Sequence, residues 1–180
     1  MRKYQVSLIL IIGFLVVGCV SVPNANGKRQ TLLIGQIVMD SRGWSTAYAS
    51  INGNFTTGIE ITIQNIESGK KYTTRSQLEG IFLSAKIPKG TYRITKLYLK
   101  KEFGNSWRSV WWEPRGREFE IIEGYVNNMG ILDWYCENNS PGKLTANKEY
   151  EQVRNAFQEK VESSNWNEKE WINVPIAYRY

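Results

Sequence analysis

The hydrophobic positions of this chain fall into short runs of period two, broken at regular intervals by turn residues. The cleanest run is 59–64, where Ile59, Ile61 and Ile63 alternate with Glu60, Thr62 and Gln64. Such alternation puts every apolar side chain on one side of an extended strand and every polar one on the other. The turn ESGK, residues 67–70, leads into KYTTR, residues 71–75, which predicts the second arm of a hairpin. LLIGQIVM, residues 32–39, predicts a first strand, and the polar stretch 41–57, with Gly43, Gly53 and Asn54, predicts a long loop. Further strand-like runs are 81–85, 91–100, 107–112, 118–122 and 125–134, punctuated by PKG (88–90), FGNS (103–106), PRG (114–116) and NNMG (127–130). Short strands at this spacing, with no helical period between them, predict a mainly β fold: an antiparallel sandwich of seven or eight strands over residues 31–137.

After Pro141-Gly142 the period changes. Tyr150, Val153, Phe157 and Val161 recur at spacings of three and four, with polar residues between them. That is the pattern of an amphipathic helix of about four turns, with Thr145 or Asn147 as its N-cap. Its apolar stripe is expected to pack on the sandwich rather than to bind a partner. The tail is rich in aromatic residues, so Trp166 and Trp171 are expected to pack back on the domain, with 176–180 strand-like. The segment 138–180 is therefore read as a helix and tail covering the sandwich.

The N-terminus carries an address. Arg2 and Lys3 precede an apolar run from Leu8 to Val17, and Gly18 precedes Cys19. This is the order of charge, apolar core and small residue found in a secretory signal, and the run is short of the roughly 20 residues of a membrane span. The last four residues, Val16-Val17-Gly18-Cys19, resemble the lipobox of bacterial lipoproteins. The resemblance implies that residues 1–18 are removed and that Cys19 is the lipid attachment site, giving a protein held on the cell membrane by its acyl chains. Val20 stands where an aspartate resembles an inner-membrane retention signal, which points to the outer membrane in a Gram-negative cell. Two other readings stay open: an uncleaved anchor over Val6–Val22, and an ordinary secretory signal that contains a cysteine. Residues 19–30, polar with Pro23 and Gly27, read as the lipidated cysteine and a flexible tether.

A second resemblance rests on Gly80-Ile81-Phe82, then Ile87-Pro88-Lys89-Gly90, then Thr91-Tyr92, a pattern G-x-F … I-P-x-G-x-Y. Gly80 opens a strand, Phe82 plugs the core, Pro88 and Gly90 make a turn, and Tyr92 re-enters the sheet. With GIEITIQNIESGKKYTT upstream, residues 32–100 resemble the transthyretin-like, carboxypeptidase-regulatory type of domain. The resemblance implies a non-catalytic accessory or binding module, and no active-site residue is carried over from it.

Composition narrows the chemistry. The 180 residues include no histidine, which excludes Ser-His-Asp and Cys-His catalysis and any His-ligated metal. The two cysteines exclude a four-thiolate zinc site, and if Cys19 carries lipid, Cys136 is expected to be buried as apolar filler. No phosphate loop, GxGxxG, GxSxG or calcium-loop pattern occurs. The acidic residues, among them Asp40, Glu60, Glu113, Glu118, Glu120 and Asp133, show no spacing that singles out an acid–base pair. No catalytic residue, metal or cofactor is therefore expected, and carboxylate chemistry is the weakest of three readings. The net charge is +6, and removal of 1–18 takes Arg2 and Lys3 and no acid. Outside the cytoplasm the remaining positive charge matches anionic lipid, glycan or wall better than nucleic acid, which is not expected as a partner.

The chain holds 7 Trp, 10 Tyr and 6 Phe, and the densest cluster is Trp107-Arg108-Ser109-Val110-Trp111-Trp112, followed by Arg115 and Arg117. On a strand, Trp107 and Trp111 share one face, and Arg108 and Trp112 the other. One tryptophan face must then lie outside a one-sided core. Either the C-terminal helix or tail covers it, which is the structural expectation, or it is a platform for sugar rings or for a partner's anchor residue. The candidate surface is thus Trp107, Arg108, Trp111, Trp112 and Arg115. The expected role is binding or scaffolding in the cell envelope, toward an envelope protein or, alternatively, toward a glycan or the cell wall.

Overall fold

The computed structural model of the chain describes residues 24–25, 27–46, 49–103, 106–137, 140–160 and 164–178. The expected signal segment 1–18 and Cys19 lie outside the described residues. Among the described residues the strands are β1 (Leu32–Thr46), β2 (Ala49–Phe55), β3 (Ile59–Asn65), β4 (Lys71–Arg75), β5 (Ile81–Ala85), β6 (Gly90–Phe103), β7 (Ser106–Trp112), β8 (Arg117–Ile121), β9 (Val126–Glu137), β10 (Ser140–Asn147), β11 (Trp171–Asn173) and β12 (Ala177–Tyr178). One α-helix, α1 (Tyr150–Lys160), and two single 3-10 turns complete the described chain. No described helix is long and apolar enough to cross a membrane.

The strands form two sheets. In the first, β1 lies beside β9, the outer edge of β1 is shared by β5 and β2, and the outer edge of β9 is shared by β11 and β10. In the second, β4 pairs β3, β3 pairs β6, and the far edge of β6 is shared by β8 and β7, with β12 on β8. Facing side chains from both sheets meet in one apolar layer, including Ile37 and Met39 of β1, Ile59, Ile61 and Ile63 of β3, Leu97 and Leu99 of β6, and Leu132 and Trp134 of β9.

Several sequence expectations need correction. The sheets are not wholly antiparallel, because β1 and β9 run parallel. A parallel pair needs a long crossover, and β3, β4, β6, β7 and β8, all of the second sheet but β12, lie between these strands in sequence. The stretch 41–57 is not a loop: β1 continues to Thr46 and turns back through β2, in register from Met39 opposite Phe55. NNMG is not a break either but lies inside β9. Its buried amides are saturated by backbone: Asn127 accepts from the Ile122 amide at 2.8 Å, and Asn128 donates to the Tyr150 carbonyl at 2.8 Å. Gly130, at φ +70°, supplies the irregularity that lets β9 stay paired with β1. The segment after 137 adds three strands to the sheets, and Thr145 and Asn147 belong to β10 rather than to a helix cap.

The turn motif folds as its residues dictate. Phe82 is buried opposite Gly35, and a Cβ at Gly35 would fall 2.5 Å from the Phe82 ring, so only glycine admits that ring between the strands. Ile87 is buried, and the buried Tyr92 donates its hydroxyl to the Pro88 carbonyl at 2.8 Å, tying the turn to β6.

Helix α1 lies on the outer face of the first sheet. Val153 and Phe157 join Leu32, Ile34, Ile81, Val126, Ile131 and Trp166 in a second apolar cluster. Phe157 meets Trp171 edge-on, centroids 5.6 Å apart, so the tail packs back as its composition predicts. The described part of the tether is also held: the Ala25 amide donates to Asn165 Oδ1 at 2.7 Å, and Lys169 Nζ donates to the carbonyls of Gly27 and Lys28. The slack expected over 19–30 therefore does not extend through these residues.

Candidate functional site

The outer face of the second sheet has no covering element among the described residues, and the candidate site is there. It is built on the alternation of β3, whose Glu60, Thr62 and Gln64 face outward because Ile59, Ile61 and Ile63 are buried. Register then fixes cross-strand rows. Lys71, Gln64, Arg93 and Glu118 form one; Arg75, Glu60, Tyr98 and Trp111 form another.

Strand β6 carries the irregularity that makes this face concave. Its buried residues are Tyr92, Ile94, Leu97 and Leu99, a three-residue step within a two-residue period. The extra residue is Thr95, since Ile94 pairs Ile63 and Lys96 pairs Thr62. At the same point β6 changes partners, from β8 (through Arg93) to β7 (from Leu97), and the connection Glu113–Gly116 bridges the gap. A cleft of about 540 Å³ opens there. Its lining holds four cations, Lys71, Arg93, Lys96 and Arg115, and one carboxylate, Glu113. Glu118, in register with Arg93, does not line it.

Two of the cations, Arg93 and Lys96, are oriented by their neighbours. Gln64 Oε1 accepts from Arg93 Nη2 at 2.9 Å and from Nε at 3.3 Å, while Gln64 Nε2 donates to the Gly69 carbonyl. That chain holds the guanidinium toward the cleft and leaves other donors unused. Lys96 Nζ sits 5.2 Å over the Tyr98 ring. Among the described residues no carboxylate lies within ion-pairing distance of any of the four.

The aromatic part of the site adjoins the cleft through Lys96 and Tyr98. Trp111, in register with Tyr98, is 58% exposed, while Val110 and Trp112 turn inward, Trp112 against the core. The face assignment made from alternation thus holds for Trp111 and Trp112. The expected cover is corrected: α1 and the tail's Trp166 and Trp171 lie on the first sheet, so Trp111 is not beneath them. Trp107 and Arg108 pair with Glu102 and Lys101 on the β7 backbone; their side chains lie outside the described residues. Arg115 lines the cleft. Sequence reasoning missed Lys71, Arg93, Lys96 and Tyr98. The signal was present in the 91–100 run, where the shifted spacing of apolar residues marks a bulge and Lys96 and Tyr98 keep period two beyond it.

Elsewhere, a second cleft of about 480 Å³ lies where the tether enters, lined by Arg29, Lys86, Pro88 and Glu123 among others. Cys136 is fully buried in the inter-sheet layer, and desolvation, with Asp40 nearby, pushes its thiol up to about 12. A thiolate is therefore disfavoured there at neutral pH, and the residue acts as apolar filler. Among the described residues no group of three His, Cys, Asp or Glu is placed to hold a metal.

No protein-family model and no curated protein matches the chain. Two solved structures show distant similarity. A leucine-rich repeat protein from Bacteroides thetaiotaomicron VPI-5482 is 12% identical at a TM-score of 0.39, the match covering 64% of this chain and 15% of that one. A candidate carbohydrate-binding protein from Pseudomonas aeruginosa is 9% identical at a TM-score of 0.30, covering 61% of this chain and 88% of that one. At such scores neither neighbour decides the fold type or the ligand.

Proposed function

We propose that this chain is a non-catalytic carbohydrate-binding module of the bacterial cell envelope. In this reading it is a lipoprotein attached to the membrane through Cys19, and its two sheets form a transthyretin-like sandwich. The observation that carries the binding role is Trp111, more than half exposed on an otherwise polar sheet face, in register with Tyr98 and next to a cleft lined by hydrogen-bond donors. A flat aromatic surface stacks on the apolar face of a pyranose ring, and side-chain donors beside it fix the ring's hydroxyls. An exposed indole that served only the core would be turned inward as Trp112 is.

The test is binding of the full chain, in detergent, to a panel of soluble glycans and to peptidoglycan fragments, compared with Trp111→Ala. Saturable binding that falls by about tenfold or more in the variant, with the melting transition unchanged, supports the reading; tenfold corresponds to about 1.4 kcal/mol, within the range of one aromatic stacking contact together with the area it buries. No binding to any saccharide, with one envelope protein cross-linked through this face, replaces it with the scaffold reading. Attachment is tested separately: Cys19→Ala should move the protein out of the membrane fraction, and retention there would overturn the lipid anchor.

A further inference from the structure

Resting on the carbohydrate reading, we infer that the ligand is an acidic saccharide, and that the cleft at the break in β6 receives its fixed anionic group while a neighbouring ring stacks on Trp111. Three observations carry this. The cleft gathers Lys71, Arg93, Lys96 and Arg115 around one concave space against the single carboxylate of Glu113, and among the described residues no carboxylate pairs with any of the four. Like charges held around one cavity repel, so an entering anion gains attraction from several cations at once without displacing an internal partner. Second, Gln64 fixes Arg93 through two bonds to its guanidinium, so a planar donor group is already aimed when the ligand arrives. Two arginines in one cleft suit a planar carboxylate or a tetrahedral oxyanion, to which guanidinium donates two parallel hydrogen bonds.

The third observation is the link between cleft and platform. Lys96 lines the cleft and also sits over Tyr98, whose cross-strand partner is Trp111. Lys96 and Tyr98 are two residues apart on β6, about 7 Å along a strand, which is roughly the scale of one to two sugar units. One oligosaccharide can therefore place a charged substituent in the cleft and a ring on the indole. Carboxylate, sulfate and phosphate on a sugar share this chemistry, and the experiment separates them.

The probe pair is polygalacturonate and its methyl-esterified form, the same backbone with the carboxylates neutralised; sulfated and phosphorylated dextran, beside plain dextran, report on the other anions. The full chain in detergent is compared with Arg93→Gln/Arg115→Gln and with Lys143→Gln/Lys148→Gln, a control that removes equal charge from exposed positions outside the cleft. The expected result is binding to at least one acidic glycan, weakened about tenfold or more by neutralising that glycan or by the arginine variant, and changed less than about twofold by the lysine control. Equal binding of charged and neutral glycans overturns the acidic ligand and leaves the carbohydrate reading standing. Equal weakening by the lysine control means general charge attraction and also overturns the cleft. Absence of binding to every glycan, charged or neutral, overturns the carbohydrate reading itself.

Discussion

The two sheets of this protein have opposite outer faces, and the difference is written into their central strands. At the start of β1 and β9, consecutive residues are buried: Leu32, Leu33 and Ile34 on one, Val126 to Leu132 on the other. A strand is apolar on both sides only where both sides are covered, and here sheet packing covers one and α1 the other. Further along both strands the burial alternates, because the helix no longer reaches. Strand β3 of the second sheet alternates from end to end. Its outward Glu60, Thr62 and Gln64 face no covering element among the described residues. One face is thus committed to stability, and the other is available to a ligand.

The largest effect should come from removing the cover. Phe157, 2% exposed, fills the cluster between α1 and the first sheet and meets Trp171 edge-on. Phe157→Ala should cost about 3–5 kcal/mol in urea unfolding, from lost transfer energy and the cavity left behind. Trp111→Ala, a larger truncation on the bare face, should change stability by no more than about 0.5 kcal/mol. Similar losses from the two variants would mean that the outer face of the second sheet is packed and not bare.

The next effect separates a covered polar group from a covered apolar one. Asn128 is 1% exposed, donates to the Tyr150 carbonyl at the head of α1 and accepts from the Gly130 amide at 2.9 Å. Asn128→Ala leaves the Gly130 amide without its acceptor in a buried place and takes from the Tyr150 carbonyl the bond it holds besides the one within α1, and should cost about 1–3 kcal/mol. The same change at Asn65, 7% exposed at the end of β3, should cost less, because water can replace its bonds to Ser68. Equal costs would break the distinction between the two ends of the molecule.

Most of the strands were legible because one-sided burial imposes a period of two, which survives in residues such as Ile59 to Gln64 without any knowledge of the partner strand. The turn motif was legible for the same local reason: Gly80, Pro88 and Gly90 act through their own backbone geometry. What was not legible depended on distant partners. Residues 41–46 and 49–55 are polar and glycine-containing, and they become strands only because each pairs with the other. Asn127-Asn128 looks like a turn because the bonds that satisfy buried amides come from Ile122 and Tyr150. The antiparallel expectation failed because strand direction is set by where the chain returns after building β3, β4, β6, β7 and β8 of the second sheet. At the candidate site, the exposed tryptophan could be proposed from alternation, but the cleft needed the meeting of Lys71, Arg93, Lys96 and Arg115 from two strands and a connection.

The smallest predicted effect measures how far the helix's cover extends. Asp133 is the first half-buried residue of β9 after the doubly covered stretch, in register with Val38 at the rim of the second cluster. Desolvation, and then the charge of Glu149, raise its carboxyl above the usual 3.8. A carboxyl with a raised folded-state value binds its proton more tightly folded than unfolded. Its contribution is therefore most favourable below about pH 3.8 and is lost as pH rises through the folded value, remaining lost at neutral pH. Asp133→Asn deletes the charge while its amide oxygen can still accept from Asn147, which now donates to the carboxylate. The variant should match the parent in acid and melt slightly higher at pH 7, with the difference appearing across that window. Glu149→Gln should reproduce only part of the gain, since burial is the larger cause. A difference independent of pH, or a variant less stable at pH 7, would mean that Asp133 lies in open water and that the cover ends before it.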